Sequence, residues 1–257
     1  MSQLVIEQIP VLTDNYIYLA HDRDSGATAV IDPAVAPPVL ERLEQQGWRL
    51  THILNTHHHN DHVGGNLALK QATGARIVGH RKDAARIPGI DIEVSDGDSF
   101  LLGSAAAMVM EVPGHTVGHI AFWFPGSHAL FCGDTLFALG CGRLFEGSAE
   151  QMWSSLKKFR SLPDETLVYC AHEYTESNAR FARTVERHNQ ALLDRIAEIK
   201  DLRQHHKPTV PSTVIIERET NPFLRADVGS VKAGVGLPPD ADPALVFAEI
   251  RRRKDAF

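Results

Sequence analysis

Cysteine is scarce in this chain: three in 257 residues, at Cys132, Cys141 and Cys170, and never in CxxC spacing. An odd, dispersed set argues against a disulfide framework and against a thiolate zinc site, and leaves buried reduced thiols as the reading. Long apolar runs are missing as well. The stretch Ile120–Phe124 is typical, far below the roughly 20 residues that a membrane span requires. Positive charge is not in excess, since 26 Lys and Arg stand against 32 Asp and Glu, and no block of five or six like charges occurs. A net charge of −6 therefore disfavours nucleic acid as the main partner. Residues 1–10 are neither basic nor followed by an apolar signal segment, so the expected compartment is the cytoplasm. Tyrosine is also rare, with four residues, whereas histidine numbers fourteen. With 43% apolar and 23% charged residues, the composition is that of an ordinary folded protein of one to two domains.

The order of elements divides the chain. Short runs rich in β-branched and aromatic residues predict strands over 4–9, 16–20 and 27–31. A helix follows over 35–46, opened by Pro37 and Pro38 and stopped by Gly47. Then come a strand at 52–54, a helix at 65–73 closed by Gly74, and a strand at 76–79, the alternation that packs helices on a sheet. Closely spaced strands are predicted over 100–102, 106–112, 120–124 and 129–131, then a helix over 150–159 and a strand over 166–170. This order fits a sheet-on-sheet sandwich flanked by helices. Beyond His172 the pattern is helical over 177–186 and 189–205, with no further strand expected. Residues 208–239, rich in Pro, Gly and Thr, are expected to be irregular, and a last helix over 243–253 carries Arg251, Arg252 and Arg253, with Lys254 beyond it. The expected domains are residues 1–172 and 173–257. The first holds 12 basic and 19 acidic side chains and the second 14 and 13, so the helical part is the more hospitable surface for an anion.

The densest set of potential metal ligands is Thr56-His57-His58-His59-Asn60-Asp61-His62. It lies beyond a strand's carboxyl end, where ligands bind in open α/β sheets. His57 and His59 are two apart in locally extended backbone and project to one side, so both reach a single ion. Asp61 and His62 project differently and suit a second position. Two such shells need more donors, and other strand ends supply them: His115 in Pro113-Gly114-His115, Asp134 in Cys132-Gly133-Asp134, and His172 in Ala171-His172. The two oxygens of Asp134 could bridge both ions. His119 reads as a neighbour of the ligands, and His52, His58, His80, His128, His188, His205 and His206 as exposed or hydrogen-bonded. Two cations about 3.5–4 Å apart would lower the pKa of a shared water and stabilise an oxyanion formed at a carbonyl or phosphoryl centre. Imidazoles and carboxylates favour zinc, with iron and manganese as alternatives.

The HxHxDH run of His57, His59, Asp61 and His62, followed by His115, Asp134 and His172, resembles the metallo-β-lactamase superfamily over residues 1–172. That likeness implies an α+β fold, an αββα sandwich with metals at one edge of the two sheets, here with a C-terminal helical domain. Asp32, in Val30-Ile31-Asp32-Pro33, looks like the superfamily's early supporting aspartate. Narrower motifs are Gly140-Cys141-Gly142-Arg143-Leu144-Phe145-Glu146-Gly147, Ala171-His172-Glu173-Tyr174-Thr175, Asn221-Pro222-Phe223-Leu224-Arg225 and Arg251-Arg252-Arg253-Lys254-Asp255. Together they resemble the glyoxalase II family of hydroxyacylglutathione hydrolases, over almost the whole chain.

The resemblance implies hydrolysis of S-D-lactoylglutathione to D-lactate and glutathione by a metal-bridging hydroxide, the second step of methylglyoxal detoxification. It implies His57, His59 and His115 at one metal, Asp61, His62 and His172 at the other, and Asp134 between them, with Asp61 also orienting the hydroxide. Arg143, Tyr174, Arg251 and Lys254 match the family's glutathione-binding positions. A substrate carboxylate wants such cationic donors, although the basic run alone would read as a solvated helix face. The chain departs from some members in having Phe145 where tyrosine stands and Arg143 where lysine stands, so one hydroxyl contact is absent. The expected partner is a small glutathione thioester, with no nucleic acid, no membrane and a monomeric state. Two rivals are a glutathione persulfide dioxygenase of the same fold and a non-catalytic metal- or glutathione-binding protein. The seven intact ligands disfavour the second.

Overall fold

A computed structural model describes residues 3–257. Two compact units are present. The first runs to Glu111 and resumes over Gly118–Gly133, and the second takes Val112–Val117 and Asp134–Phe257.

In the first unit, β1 (Val5–Val11), β2 (Asn15–His21) and β3 (Thr28–Ile31) form an antiparallel meander. Pairing then turns parallel through β4 (Leu50–Leu54), β5 (Arg76–His80) and β6 (Ile92–Val94). Parallel neighbours need crossovers. Helix α1 (Pro37–Gln46) makes the first, and the single turn α2 (Asn60–Val63) with α3 (Asn66–Thr73) makes the second. Gly47 stops α1 in the left-handed region at φ 67°, a conformation that glycine adopts without a Cβ penalty. Val39 and Leu43 of α1 are buried in one core with Ile17, Leu19, Val30 and Ile53, each worth about 1.5–3 kcal/mol in removed apolar surface.

The second sheet of this unit is antiparallel in chain order: β7 (Ser99–Leu102), β8 (Ala105–Glu111), β9 (Ile120–Phe124) and β10 (Ala129–Gly133). The two sheets face each other through Tyr18 on β2 and Phe131 on β10, 5.7 Å apart, and through His52 set edge-on to Phe100 at 5.2 Å. This is the predicted sandwich. Strand β6 is only three residues long, too short to leave a period-2 pattern in the sequence.

The second unit opens with the hairpin β11 (Leu136–Phe137) and β12 (Gly140–Cys141). Helix α4 (Ala149–Arg160) starts on a capping box between Ser148 and Gln151. Strand β13 (Leu167–Cys170), α5 (Thr175–Val185) and α6 (Gln190–Gln204) follow. Residues 208–239 differ from expectation. They hold β14 (Ser212–Thr213), paired antiparallel with β13, and the helices α7 (Val214–Thr220) and α8 (Gly229–Gly234). The strands therefore do not end before His172. These pieces are too short for periodicity to show; α7 starts on a side-chain cap, Thr213 accepting from the Ile216 N–H, and Asn221 likewise caps the short turn Pro222–Leu224 by accepting from the Phe223 N–H. Helix α9 (Pro243–Asp255) ends the fold and brings Lys254 inside a helix. Its Phe247 packs on Phe223, which stacks on Phe181 of α5. Among the described residues, no helix is long and apolar enough to cross a membrane.

Candidate metal centre

Four of the expected ligands lie in the first unit, on the loop leaving β4 and on α2. Asp32 organises them. It sits in the left-handed region at φ 50°, a conformation that aspartate tolerates better than most residues, and is almost fully buried. Its carboxylate accepts from the Thr56 N–H at 2.8 Å, the Thr56 hydroxyl at 2.7 Å and His62 Nδ1 at 3.1 Å. Because the Thr56 hydroxyl donates to Asp32, its oxygen accepts from His57 Nδ1, 3.0 Å away. Both rings thus carry their proton on Nδ1, so each Nε2 presents a lone pair rather than a hydrogen.

Those lone pairs face a ring nitrogen and a carboxylate oxygen. His57 Nε2 is 3.0 Å from His59 Nδ1, and His62 Nε2 is 3.5 Å from Asp61 Oδ2. Acceptors this close repel unless a proton or a cation lies between them. Asn15 donates to Asp61 Oδ2 at 3.0 Å and holds that carboxylate in place. Donor atoms of Asp32, His57 and His62 lie within 4.8 Å of one another, but Asp32 is already engaged by three hydrogen bonds, so its part is to orient the imidazoles.

The second unit holds the other three. His115 Nδ1 donates to the Arg143 carbonyl at 2.8 Å, which turns Nε2 toward Asp134 Oδ2 at 3.5 Å. His172 Nε2 lies 3.4 Å from the other oxygen, Oδ1. The Asp134 carboxylate is therefore flanked by one imidazole on each oxygen. Gly142 makes room for it, since a Cβ there would collide with the Asp134 carbonyl and press on His115 Nδ1. Asp134, His115 and His172 are all buried.

The cationic side chains expected to bind substrate are in the second unit too, and they are not equivalent. Arg251 is buried: it donates to Asp255 from Nε at 3.0 Å and to the Cys141 carbonyl from Nη1 at 2.9 Å, with its guanidinium over the Phe223 ring. The Cys141 contact ties α9 to β12, and the Asp255 pair lies within α9. Lys254 is half-buried. Burial first, and then the charges of Arg251, Arg180 and Arg143, lower its pKa to about 8. Tyr174 stacks flat on His172, ring centres 4.7 Å apart. Phe145 is exposed and sits edge-on to His115 at 5.1 Å.

Comparison with known proteins places these residues in a family. Residues 12–172 match the model of the metallo-beta-lactamase superfamily, and residues 173–257 that of the hydroxyacylglutathione hydrolase C-terminus. A hydroxyacylglutathione hydrolase of Methylococcus capsulatus is 62% identical over 99% of both chains, and one of Rhodospirillum rubrum is 56% identical over all of both. The chain belongs to the hydroxyacylglutathione hydrolases. Among solved structures, ETHE1 from Myxococcus xanthus matches with a TM-score of 0.68 at 26% identity, covering 98% of this chain and 99% of that one.

For a hydroxyacylglutathione hydrolase the cysteines are bystanders. Burial pushes the Cys141 thiol up to about 11 and the Cys170 thiol up to about 12, so neither is a thiolate nucleophile at neutral pH. The supporting residues left few marks in the sequence. Thr56 touches the ligand run but belongs to no ligand class. Asp83, fully buried, pairs with His58 Nδ1 at 3.2 Å across 25 residues. His119 stacks on His57 at 4.6 Å, the neighbour its position suggested.

Proposed function

We propose that the chain hydrolyses S-D-lactoylglutathione and related 2-hydroxyacylglutathiones to glutathione and the hydroxy acid. The observation that carries this is Asp134, whose two carboxylate oxygens each face an imidazole Nε2. Like the Nε2 atoms of His57 and His62, such pairs of acceptors fit cations between them, and their nitrogen and oxygen chemistry suits zinc, iron or manganese. In this reading His57, His59 and His115 hold one cation, Asp61, His62 and His172 the other, and Asp134 both. When bound, the two cations would supply hydroxide at neutral pH and offset charge on the carbonyl oxygen.

The chain's own residues do the rest. Asp32 and the Arg143 carbonyl fix ring tautomers, so the ligand lone pairs need no reorganisation. Asp61, held by Asn15, stands where it can accept a proton from water. Arg143 and Lys254 attract the glycyl carboxylate of glutathione, Tyr174 lies beside His172, and Arg251 keeps the basic helix seated. The leaving group is a thiolate, which near its pKa of about 8.5 departs without a general acid. The cytoplasm is the proposed compartment, supported by three buried cysteines that form no disulfide.

Metal analysis paired with a thioester assay tests the reading. The purified protein is expected to carry about two divalent ions per chain, to cleave lactoylglutathione at kcat/KM above about 10⁴ M⁻¹s⁻¹, and to lose activity to chelators and regain it with added metal. Oxygen uptake with glutathione persulfide, in place of thioester cleavage, would instead establish the dioxygenase alternative.

A further inference from the structure

Arg180 has had no role so far. It is exposed on α5, one turn beyond Ser177, and residues three apart share a helix face. Ser177 is also the residue that holds Lys254, whose Nζ is 3.2 Å from the Ser177 hydroxyl and 3.5 Å from its carbonyl. The rings of Phe181, next to Arg180, and of Phe257 fix the same ammonium, at 5.5 and 5.3 Å. Arg180 therefore stands on the face of α5 where Lys254 is anchored. Its charge, with those of Arg143 and Arg251, acts on Lys254 against the single carboxylate of Asp255.

Asp255 is already taken up by Arg251. Among the described residues, neither Arg143 nor Arg180 has an ion-pair partner. Uncompensated like charges raise the energy of the free protein and reward an anion that binds among them. Lys254 and Arg143 serve one carboxylate, and Arg180 remains. The glutathione portion of the substrate carries two carboxylates, one at each end of the tripeptide. We propose that Arg180 is the second carboxylate anchor, binding the γ-glutamyl α-carboxylate while Lys254 and Arg143 take the glycyl one. The planar guanidinium suits a bidentate grip on a carboxylate that stays near solvent. This inference rests on the thioesterase reading above and adds a basis for selecting the whole tripeptide.

The test compares Arg180→Ala, Arg180→Lys and the control Arg183→Ala on two substrates, S-D-lactoylglutathione and the S-D-lactoyl thioester of N-acetylcysteinylglycine, which lacks the γ-glutamyl carboxylate. Arg180→Ala is expected to raise KM about tenfold for the first, with kcat held within about twofold, and to change KM for the second less than twofold. Arg180→Lys should recover most of the loss, and Arg183→Ala should match the parent. Equal KM changes on both substrates, or none on either, would overturn the proposal. Calorimetric binding of the uncleaved thioether S-hexylglutathione separates the two levels of the argument. Weakened binding in Arg180→Ala without any thioester cleavage by the parent would sink the hydrolase reading and keep the anchor. Unchanged binding beside normal cleavage would do the reverse.

Discussion

In the proposed mechanism Asp134 carries the most weight of any side chain, because each of its oxygens faces a different histidine. Asp134→Ala is expected to lower kcat/KM at least about 10³-fold and to lower bound metal measured in the same preparation; full turnover would remove its bridging role. Phe145 makes a smaller, opposite case. It is exposed beside His115 and has no hydroxyl to offer a substrate. Phe145→Tyr is expected to lower KM about threefold at unchanged kcat, the size of one added hydrogen bond; an unchanged KM would show that the substrate passes elsewhere. Asp134 was a candidate from the sequence because metal chemistry restricts the residue types. Asp83 was not, since a buried partner 25 positions from His58 follows no local spacing.

Among the elements, the hairpin β11–β12 shows what the Asn221-Pro222-Phe223-Leu224-Arg225 motif does. Asn221 is fully buried, and its amide donates to the carbonyls of Phe137 at 3.2 Å and Gly140 at 3.0 Å. Asn178 donates to Ala138 O at 3.0 Å, and Glu217 accepts from the Leu139 N–H at 2.8 Å. Burial pushes the Glu217 carboxyl pKa up, against hydrogen bonds from Ser212, Leu139 and Asn221. The clamp holds Leu139 in the left-handed region at φ 58°. It fixes the segment between Asp134 and Arg143, whose carbonyl aims His115. Asn221→Ala leaves two buried carbonyls without their donor and is expected to cost about 2 kcal/mol, read as a lower urea midpoint; an unchanged midpoint would show that the hairpin holds itself. Helices with proline starts, glycine stops or a capping box, such as α1 and α4, were legible to within two residues. β6, β14, α7 and α8 were not, because two to seven residues hold too few repeats to display a period.

For the molecule as a whole, charge placement predicts a pH response. Burial and three guanidinium groups lower the Lys254 pKa from 10.5 to about 8, with Asp255 the one opposing charge. A lowered pKa means that the cation is present below about 8 and lost as pH rises through it, so carboxylate binding weakens on the alkaline side. The expectation is that kcat/KM falls above pH 8 through a rise in KM, and that Lys254→Arg removes that limb because guanidinium stays charged. A profile flat to pH 9.5 in the parent would exclude Lys254 from binding. The sequence by itself determined the sandwich and, through its motifs, the family, because strand patterning and clustered donor residues are written in residue type and short-range spacing. Which imidazole nitrogen carries the proton, which arginine is already paired and which is still available were decided by tertiary structure alone. Those facts depend on hydrogen-bond partners tens to more than a hundred residues away, such as the Cys141 carbonyl that engages Arg251, and folding alone brings such partners within reach.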